Sequence, residues 1–460
     1  MNLVYNIQDK PKFPQLLIFA FQQVLAILAA TIAVPSIIGH GMSQSAALFG
    51  AGVGTLVYQL FTRYKSPVYL GSSFAFLGSM SAAFAGAASI SAGHVGLILG
   101  AVMAGLIYVI LAITVKLVGV QWINRLMPPA VIGPTVAIIG LSLAGNAIGD
   151  MSTGKVLVEN VSLIIKDGAI VPDVTMVSGC SPYVALICGL ITLFSIIIFS
   201  VYGKKMMKLI PFILGILVGY VAATIFTVIG ISTNNVALQI INFSVFSNME
   251  IFCVPDFTFL QLAEGVQALS PAFIATIAVA YIPVAFVVFA EHIADHKNLS
   301  TVINQDLLTE PGLHRTLLGD GIGSMAGAFF GGCPNTTYGE SVGCVAITRN
   351  ASVITITTAA LMCIVISFFS PFVTFLSSIP NCVMGGVCTA LYGFIAVSGL
   401  KMVQKVDLNQ SKNLFVVSVI LIAGIGGMTI SFGNVTLTSV ACALLLGILT
   451  NLLVSKAKTE

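Results

Sequence analysis

Long apolar runs separated by short polar stretches repeat along nearly the whole chain. A membrane-spanning helix needs roughly 20 mostly apolar residues. Segments of that kind run approximately 15–37, 45–62, 69–90, 95–118, 128–147, 182–202, 209–230, 268–294, 315–332, 334–348, 352–377, 380–400, 413–430 and 435–455. The pattern predicts an all-α membrane protein of 14 transmembrane segments. Two of these are irregular. The run at 69–90 is rich in Gly and Ser, and 334–348 is too short and too polar for an ordinary span. The first residues, MNLVYNIQDKPKFP, lead straight into the first long run, which is expected to act as its own insertion signal without a cleavable leader.

Composition makes the class firm. Hydrophobic residues make up 57% of the chain and charged residues 8%, against about 25% charged in a soluble domain. A surface so poor in charge is solvated by lipid. With the N-terminus placed in the cytoplasm, every lysine and arginine except Lys155 and Lys166 falls on the cytoplasmic side of the count. That is the positive-inside bias. It predicts a multi-pass protein of the cell membrane with both termini cytoplasmic, and it explains the basic residues without nucleic acid. The acidic residues Asp150, Glu159, Asp167, Asp173, Glu250, Asp256 and Glu264 fall in two longer outer stretches, roughly 148–181 and 231–267, which read as polar covers. The nine cysteines lack CxxC spacing and read as small apolar packing groups, so neither a metal nor another cofactor is expected.

A weak internal echo follows. PPAVIG at 128–133 resembles PNCVMG at 380–385, and PVYLGSSFAF from Pro67 resembles PNTTYGESVG from Pro334. Both pairs are offset by about half the chain. An odd number of spans per half would insert the second copy upside down, giving two inverted 7-span repeats. Transporters of that design place their site near the midplane, where interrupted helices meet. The segments 67–80 and 334–348 are the candidates, each predicted to open as a short extended strand at the start of segments 3 and 10.

Few ionisable residues sit deep in apolar sequence. Glu291 and Glu340 do, with Asp295 and Asp320 close behind. A carboxylate at the bilayer centre costs about 2.5–3.5 kcal/mol on insertion scales, so it is functional by default. The structural alternative has each carboxyl bonded to backbone or a neighbouring Thr. Asp295 follows Glu291 by one helical turn on the same face, and two such carboxyls do not both ionise cheaply, which suits uptake and release of a proton. The alternative for Asp295 is simple contact with cytoplasmic water. Glu340 follows Gly339, which permits close backbone approach, and Gly71-Ser72-Ser73-Phe74 supplies backbone donors and an aromatic face. Together these groups suit a flat, neutral, amide-like heterocycle. An anion exchanger or channel would want Arg or Lys at this depth. The five histidines look scattered, and no HExxH or Ser–His–Asp set appears, so an enzyme with catalytic residues is not expected.

These residues resemble the nucleobase–ascorbate transporters (nucleobase–cation symporter family 2), most closely the bacterial uracil/proton symporters. The stretches that carry the resemblance are YLGSSFAF at 69–76, AEH at 290–292, EPGLHR at 310–315 and PNTTYGESVGCVAITR at 334–349. The resemblance implies a core domain of residues 1–120 and 265–377 and a gate domain of residues 121–232 and 378–460, with a homodimer formed through the gate. It implies alternating access that imports uracil with a proton. Glu291 and Glu340 would bind the base, the backbone N–H groups of Phe74 and Gly339 would meet its carbonyls, and Ala30, Tyr338 and Ser73 would line the pocket. Two departures leave xanthine, another purine or a related pyrimidine open. Asp295 stands where the close uracil carriers have a histidine, and Gln23 where they have another. Proton coupling would then run through Glu291 and Asp295.

Overall fold

The computed structural model describes residues 3–455 except 120, 167, 168, 205, 248, 433 and 434. Asp167, Lys205, Lys456 and Lys458 therefore lie outside the described residues, as do the side chains of Glu159, Lys166 and Asp173. The helices are α1 (Phe13–Ile38), α2 (Gln44–Phe61), α3 (Leu77–Ala85), α4 (Ile90–Val118), α5 (Gln121–Leu126), α6 (Pro129–Ser142), α7 (Ala144–Asp150), α8 (Pro182–Tyr202), α9 (Met206–Leu209) and α10 (Pro211–Ser232). There follow α11 (Leu262–Gly265), α12 (Pro271–Ile303), α13 (Leu313–Gly331), α14 (Gly339–Thr348), α15 (Val353–Ile366), α16 (Ser370–Ser378), α17 (Asn381–Val403), α18 (Ser411–Ile425) and α19 (Ser439–Val454). Among the described residues, seven helices are long and apolar enough to cross a membrane, and four more apolar helices are shorter. All nine cysteines are free thiols.

Three pairs of short strands accompany the helices: β1 (Leu70–Ser72) with β4 (Asn335–Thr337), β2 (Leu157–Lys166) with β3 (Ala169–Ser178), and β5 (Ile430–Phe432) with β6 (Val435–Leu437). The β2–β3 hairpin occupies one of the two stretches read as polar covers, for which no strand had been assigned. The β-branched content of VENVSLII and IVPDVTMV suits these strands, since such residues fit a pleated surface. The apolar run expected as one span at 352–377 is broken between α15 and α16, just ahead of Pro371. Pro371 has no N–H with which to continue the ladder of α15, and it is tolerated in the first turn of α16.

Chain contacts divide the molecule into two compact units. One contains residues 143–251 and 370–391. Within it α8 and α10 pack closely: a Cβ added at Gly215 would lie 2.3 Å from Ile196 Cγ1. Tyr220 and Ser378 share a hydrogen bond between hydroxyls at 2.8 Å.

The other unit contains residues 1–142, 252–369 and 392–460. Its centre is the packing of α2 and α4 on α13, with α12 against α4 and α1 and α2 against α15. Backbones come together at glycines. A Cβ at Gly50 would lie 2.4 Å from the carbonyl oxygen of Gly327, and one at Gly54 would lie 2.7 Å from that of Gly323. Lipid gives helices no hydrophobic reason to associate, so close van der Waals approach through small residues takes its place. Asn335 enters this seam and donates from Nδ2 to the Gly50 carbonyl at 3.1 Å.

α12 starts at Pro271 behind an N-cap, Ser270, whose hydroxyl accepts from the Phe273 N–H, and it ends at Asn304 in the left-handed conformation. Its 33 residues span about 50 Å at 1.5 Å per residue, more than the hydrocarbon thickness of about 30 Å.

Candidate substrate site

Pro67 and Pro334 lack an N–H, and each precedes a β-tending run, VYLGS or NTT. The two runs pair antiparallel, with Leu70 opposite Thr337, Gly71 opposite Thr336 and Ser72 opposite Asn335. The ladder continues at both ends: Ser73 N–H donates to the Pro334 carbonyl at 2.9 Å, and Tyr338 N–H to the Tyr69 carbonyl at 3.3 Å. Non-helical backbone away from water must satisfy its polar groups internally, and each strand does this for the other. A single 3₁₀ turn, Phe74–Phe76, then opens α3, and Gly339 opens α14. The first N–H groups of a helix have no partner within it, and they carry its positive dipole end.

The strand pair is fastened to its surroundings by side chains. Tyr338 lays its ring across Gly71, where a Cβ would fall 2.3 Å from Cε2, and its hydroxyl donates to the Ser72 carbonyl at 2.8 Å. Ser341 Oγ, in the first turn of α14, accepts from Gln23 Nε2 of α1 and from the Tyr69 N–H. Asp295 Oδ2 accepts from Thr337 Oγ1 at 2.7 Å, which ties α12 to β4.

The carboxylates meet beside this frame. Glu291 and Asp295 lie one turn apart on α12, and Glu340 lies in the first turn of α14, which packs on α12. Glu291 interacts electrostatically with Asp295, Glu340 and Asp320. A Cβ at Gly339 would lie 3.9 Å from Asp295 Oδ1, and Gly339 itself is exposed. All three acids are half-buried. No lysine or arginine forms an ion pair with any of them among the described residues. The structure thus brings Glu291, Asp295, Gly339 and Glu340 together. Tyr338 joins them, and the Thr31 hydroxyl of α1 lies beside its phenol. Ala30, next in the chain to Thr31, is buried. Phe74 is buried, its ring 5.5 Å edge-on from that of Tyr392. Ser73 is fully buried and its N–H is already spent on the strand pair.

One constellation escaped the sequence analysis. His292 and His296 stack with ring centroids 4.0 Å apart, so these two histidines are not scattered. His292 Nδ1 lies 2.6 Å from Asp320 Oδ2 on α13, and Nε2 lies 3.0 Å from Thr316 Oγ1. His296 Nδ1–H donates to the His292 carbonyl at 2.8 Å, leaving Nε2 to accept from Tyr58 O–H at 2.8 Å. Tyr58 in turn shares a hydrogen bond with Ser66 at 2.7 Å. Asp320 had stood out as deep in apolar sequence; the unused signal was the i, i+4 spacing of the two histidines.

Residues 14–432 match the family model described as the permease family. The chain belongs to that family. It is a transporter and not an enzyme. Among its relatives, the uracil permease of Bacillus caldolyticus is 36% identical over 98% of this chain and 94% of its own. The uracil permease of Bacillus subtilis (strain 168) is 33% identical over 99% and 96%, and that of Escherichia coli (strain K12) is 32% identical over 96% and 92%. The permease also shares its fold with solved transporters. The transmembrane domain of a cyanobacterium bicarbonate transporter, BicA, superposes with a TM-score of 0.63 at 16% identity, covering 97% of this permease and 100% of that chain. SLC26A9 superposes with a TM-score of 0.62 at 12% identity, covering 97% and 66%. At these identities the likeness concerns the fold alone.

Proposed function

We propose that this permease imports uracil together with a proton across the cell membrane by alternating access. The observation that carries the reading is the meeting of Glu291, Glu340 and Gly339 beside the β1–β4 pair, within a family whose full-length relatives include uracil permeases. Uracil presents N–H donors and C=O acceptors in one plane. The two glutamates would accept from its N–H groups, and the Phe74 and Gly339 N–H groups would donate to its carbonyls. Ala30, Ser73 and Tyr338 would shape the pocket. Asp295, fastened to Thr337 and facing Gly339, would share proton handling with Glu291.

The wider frame follows the same reading. Fourteen spans would form two inverted repeats, with a core of residues 1–120 and 265–377 moving against a gate of residues 121–232 and 378–460. The permease would dimerise through the gate and keep both termini in the cytoplasm.

A second reading within the family is xanthine or another base. Asp295 favours it, because an acid there resembles the purine carriers, although Gly339-Glu340 stands where those carriers have Gln-Asn. Uptake of labelled uracil by transport-deficient cells tests both. Uptake that vanishes in Glu291→Ala and Glu340→Ala supports the site, and normal uptake in either variant overturns it. Stronger competition by unlabelled xanthine than by unlabelled uracil would replace the substrate.

A further inference from the structure

The His292–Asp320–Thr316 cluster adjoins Glu291, with which Asp320 interacts electrostatically, and takes no part in the site described above. His292 is fully buried and Asp320 is 1% exposed. An ionisable pair held so deep has a strong energetic reason to be either permanently paired or functional. Counting protons decides between a fixed pair and an exchangeable one.

The 2.6 Å separation of His292 Nδ1 and Asp320 Oδ2 requires one shared proton. The other nitrogen faces the Thr316 hydroxyl, which has a single proton and two neighbours: His292 Nε2 at 3.0 Å and the Leu313 carbonyl, also at 3.0 Å. When Thr316 donates to the carbonyl, its oxygen can accept only from an Nε2–H. The pair is then neutral as a whole. When Thr316 turns and donates to Nε2, that nitrogen must be bare, and the pair carries a net negative charge. Both ring nitrogens keep a partner in both states, and only a hydroxyl rotation separates them. His296 has no such freedom, because the His292 carbonyl fixes its Nδ1–H and Tyr58 occupies its Nε2.

A second observation lies on the far side of the carboxyl. Asp320 Oδ1 and the Tyr108 hydroxyl are buried without a hydrogen-bond partner among the described residues. Both residues line one small, mainly apolar cavity, with Phe76, Val288, Ser324 and Asn335. Asp320 thus keeps an unpartnered oxygen, in a residue that lines a space about the size of one water.

We propose that His292 and Asp320 form a second proton-holding site of this permease, loaded and unloaded at His292 Nε2 and served in both states by Thr316. On release the Nε2–H proton moves to the Thr316 oxygen, its electron pair staying on the ring, while the hydroxyl's former proton, which faced the Leu313 carbonyl, passes to water, so that Thr316 ends donating to Nε2. The charged and titratable groups facing the pair are Glu291, Asp295 and, through them, Glu340, with His296, Tyr58 and Tyr108. Release adds a negative charge beside Glu291, the next residue back along α12, so the two sites titrate as a coupled set. The proposal rests on proton-coupled uracil transport.

Calorimetric titration of the purified permease with uracil, in buffers of different ionisation enthalpy and across a range of pH, counts the protons taken up on binding. The wild type is expected to show uptake with more than one step in pH. Asp320→Asn and His292→Gln should bind uracil and lose a step. Thr316→Val, which removes only a hydroxyl, should keep the step and move it in pH. Proton uptake by these variants that matches the wild type at every pH overturns the pair. Should the first two variants fail to fold, Thr316→Val alone decides, and an unmoved step overturns the proposal. A wild type that binds uracil without exchanging any proton overturns the symport reading and this one with it.

Discussion

Thr337 and Asp295 join the strand pair to the helix that carries Glu291, through a hydrogen bond of 2.7 Å from Oγ1 to Oδ2. Asp295 is therefore not a carboxylate merely turned to cytoplasmic water. The bond links the acid one turn from Glu291 to the residue two places ahead of Gly339, so in the proposed site a change in its charge would act on the strand pair. Asp295→Asn keeps the shape and removes the charge. It should weaken accumulation of uracil driven by a pH gradient while sparing exchange of labelled for unlabelled base. Unchanged accumulation across the gradient would remove Asp295 from the relay.

Tyr338 over Gly71 is the second element of that frame. Tyr338→Phe deletes the bond to the Ser72 carbonyl and should cost about 0.5–1.5 kcal/mol, plus whatever is lost by leaving that buried acceptor unpaired. Gly71→Ala should be worse, since its methyl would fall 2.3 Å from a ring that is packed and hydrogen-bonded. Thermal unfolding of the purified variants measures both. Combining Gly71→Ala with Tyr338→Ala should recover part of the loss, and no recovery would show that the clash lies elsewhere.

Much of this frame was legible in the sequence, for physical reasons. Prolines ahead of β-tending residues inside apolar runs, at 67 and 334, can be read as breaks in a helix, and the two segments do pair. Glu291 and Glu340 stand out because charge in apolar sequence is costly. The His292–Asp320 pair did not stand out. Its partners are separated by 28 positions on different helices, and only the close α4–α13 and α4–α12 packing puts them in one place. The glycine seam was also invisible as a seam: Gly50, Gly54, Gly323 and Gly327 are common residues in any apolar helix until the register of two helices is known. The β2–β3 hairpin was not assigned either, because charged and turn-forming residues interrupt its β-branched runs.

The seam makes its own prediction. Gly50→Ala would set a methyl 2.4 Å from the Gly327 carbonyl oxygen, a backbone atom that cannot rotate away. The helices must separate, at a typical overpacking cost of about 1–3 kcal/mol. Gly145→Ala, with nothing within 4 Å of the added methyl, is the control. Melting of the two variants in the same detergent should show a clear drop for the first and little change for the second. Equal melting would mean that α2 and α13 do not pack through these glycines.

Lys65 and Glu310 form an exposed ion pair beyond the end of α2 and just before α13. The lysine beside it, through a hydrogen bond and its charge, holds the Glu310 carboxyl below its ordinary value. An acid lowered in this way favours the folded state only while it is ionised. Its contribution is whole above the unfolded value of about 4.3, and it fades as the pH falls through the lower, folded one. Both partners lie in water, where side-chain entropy and salt leave such a pair little net effect. Glu310→Gln should therefore change thermal stability only slightly at neutral pH and low salt, and not measurably in high salt or at pH below the folded value. A large drop that persists in high salt would assign Glu310 a role beyond this ion pair.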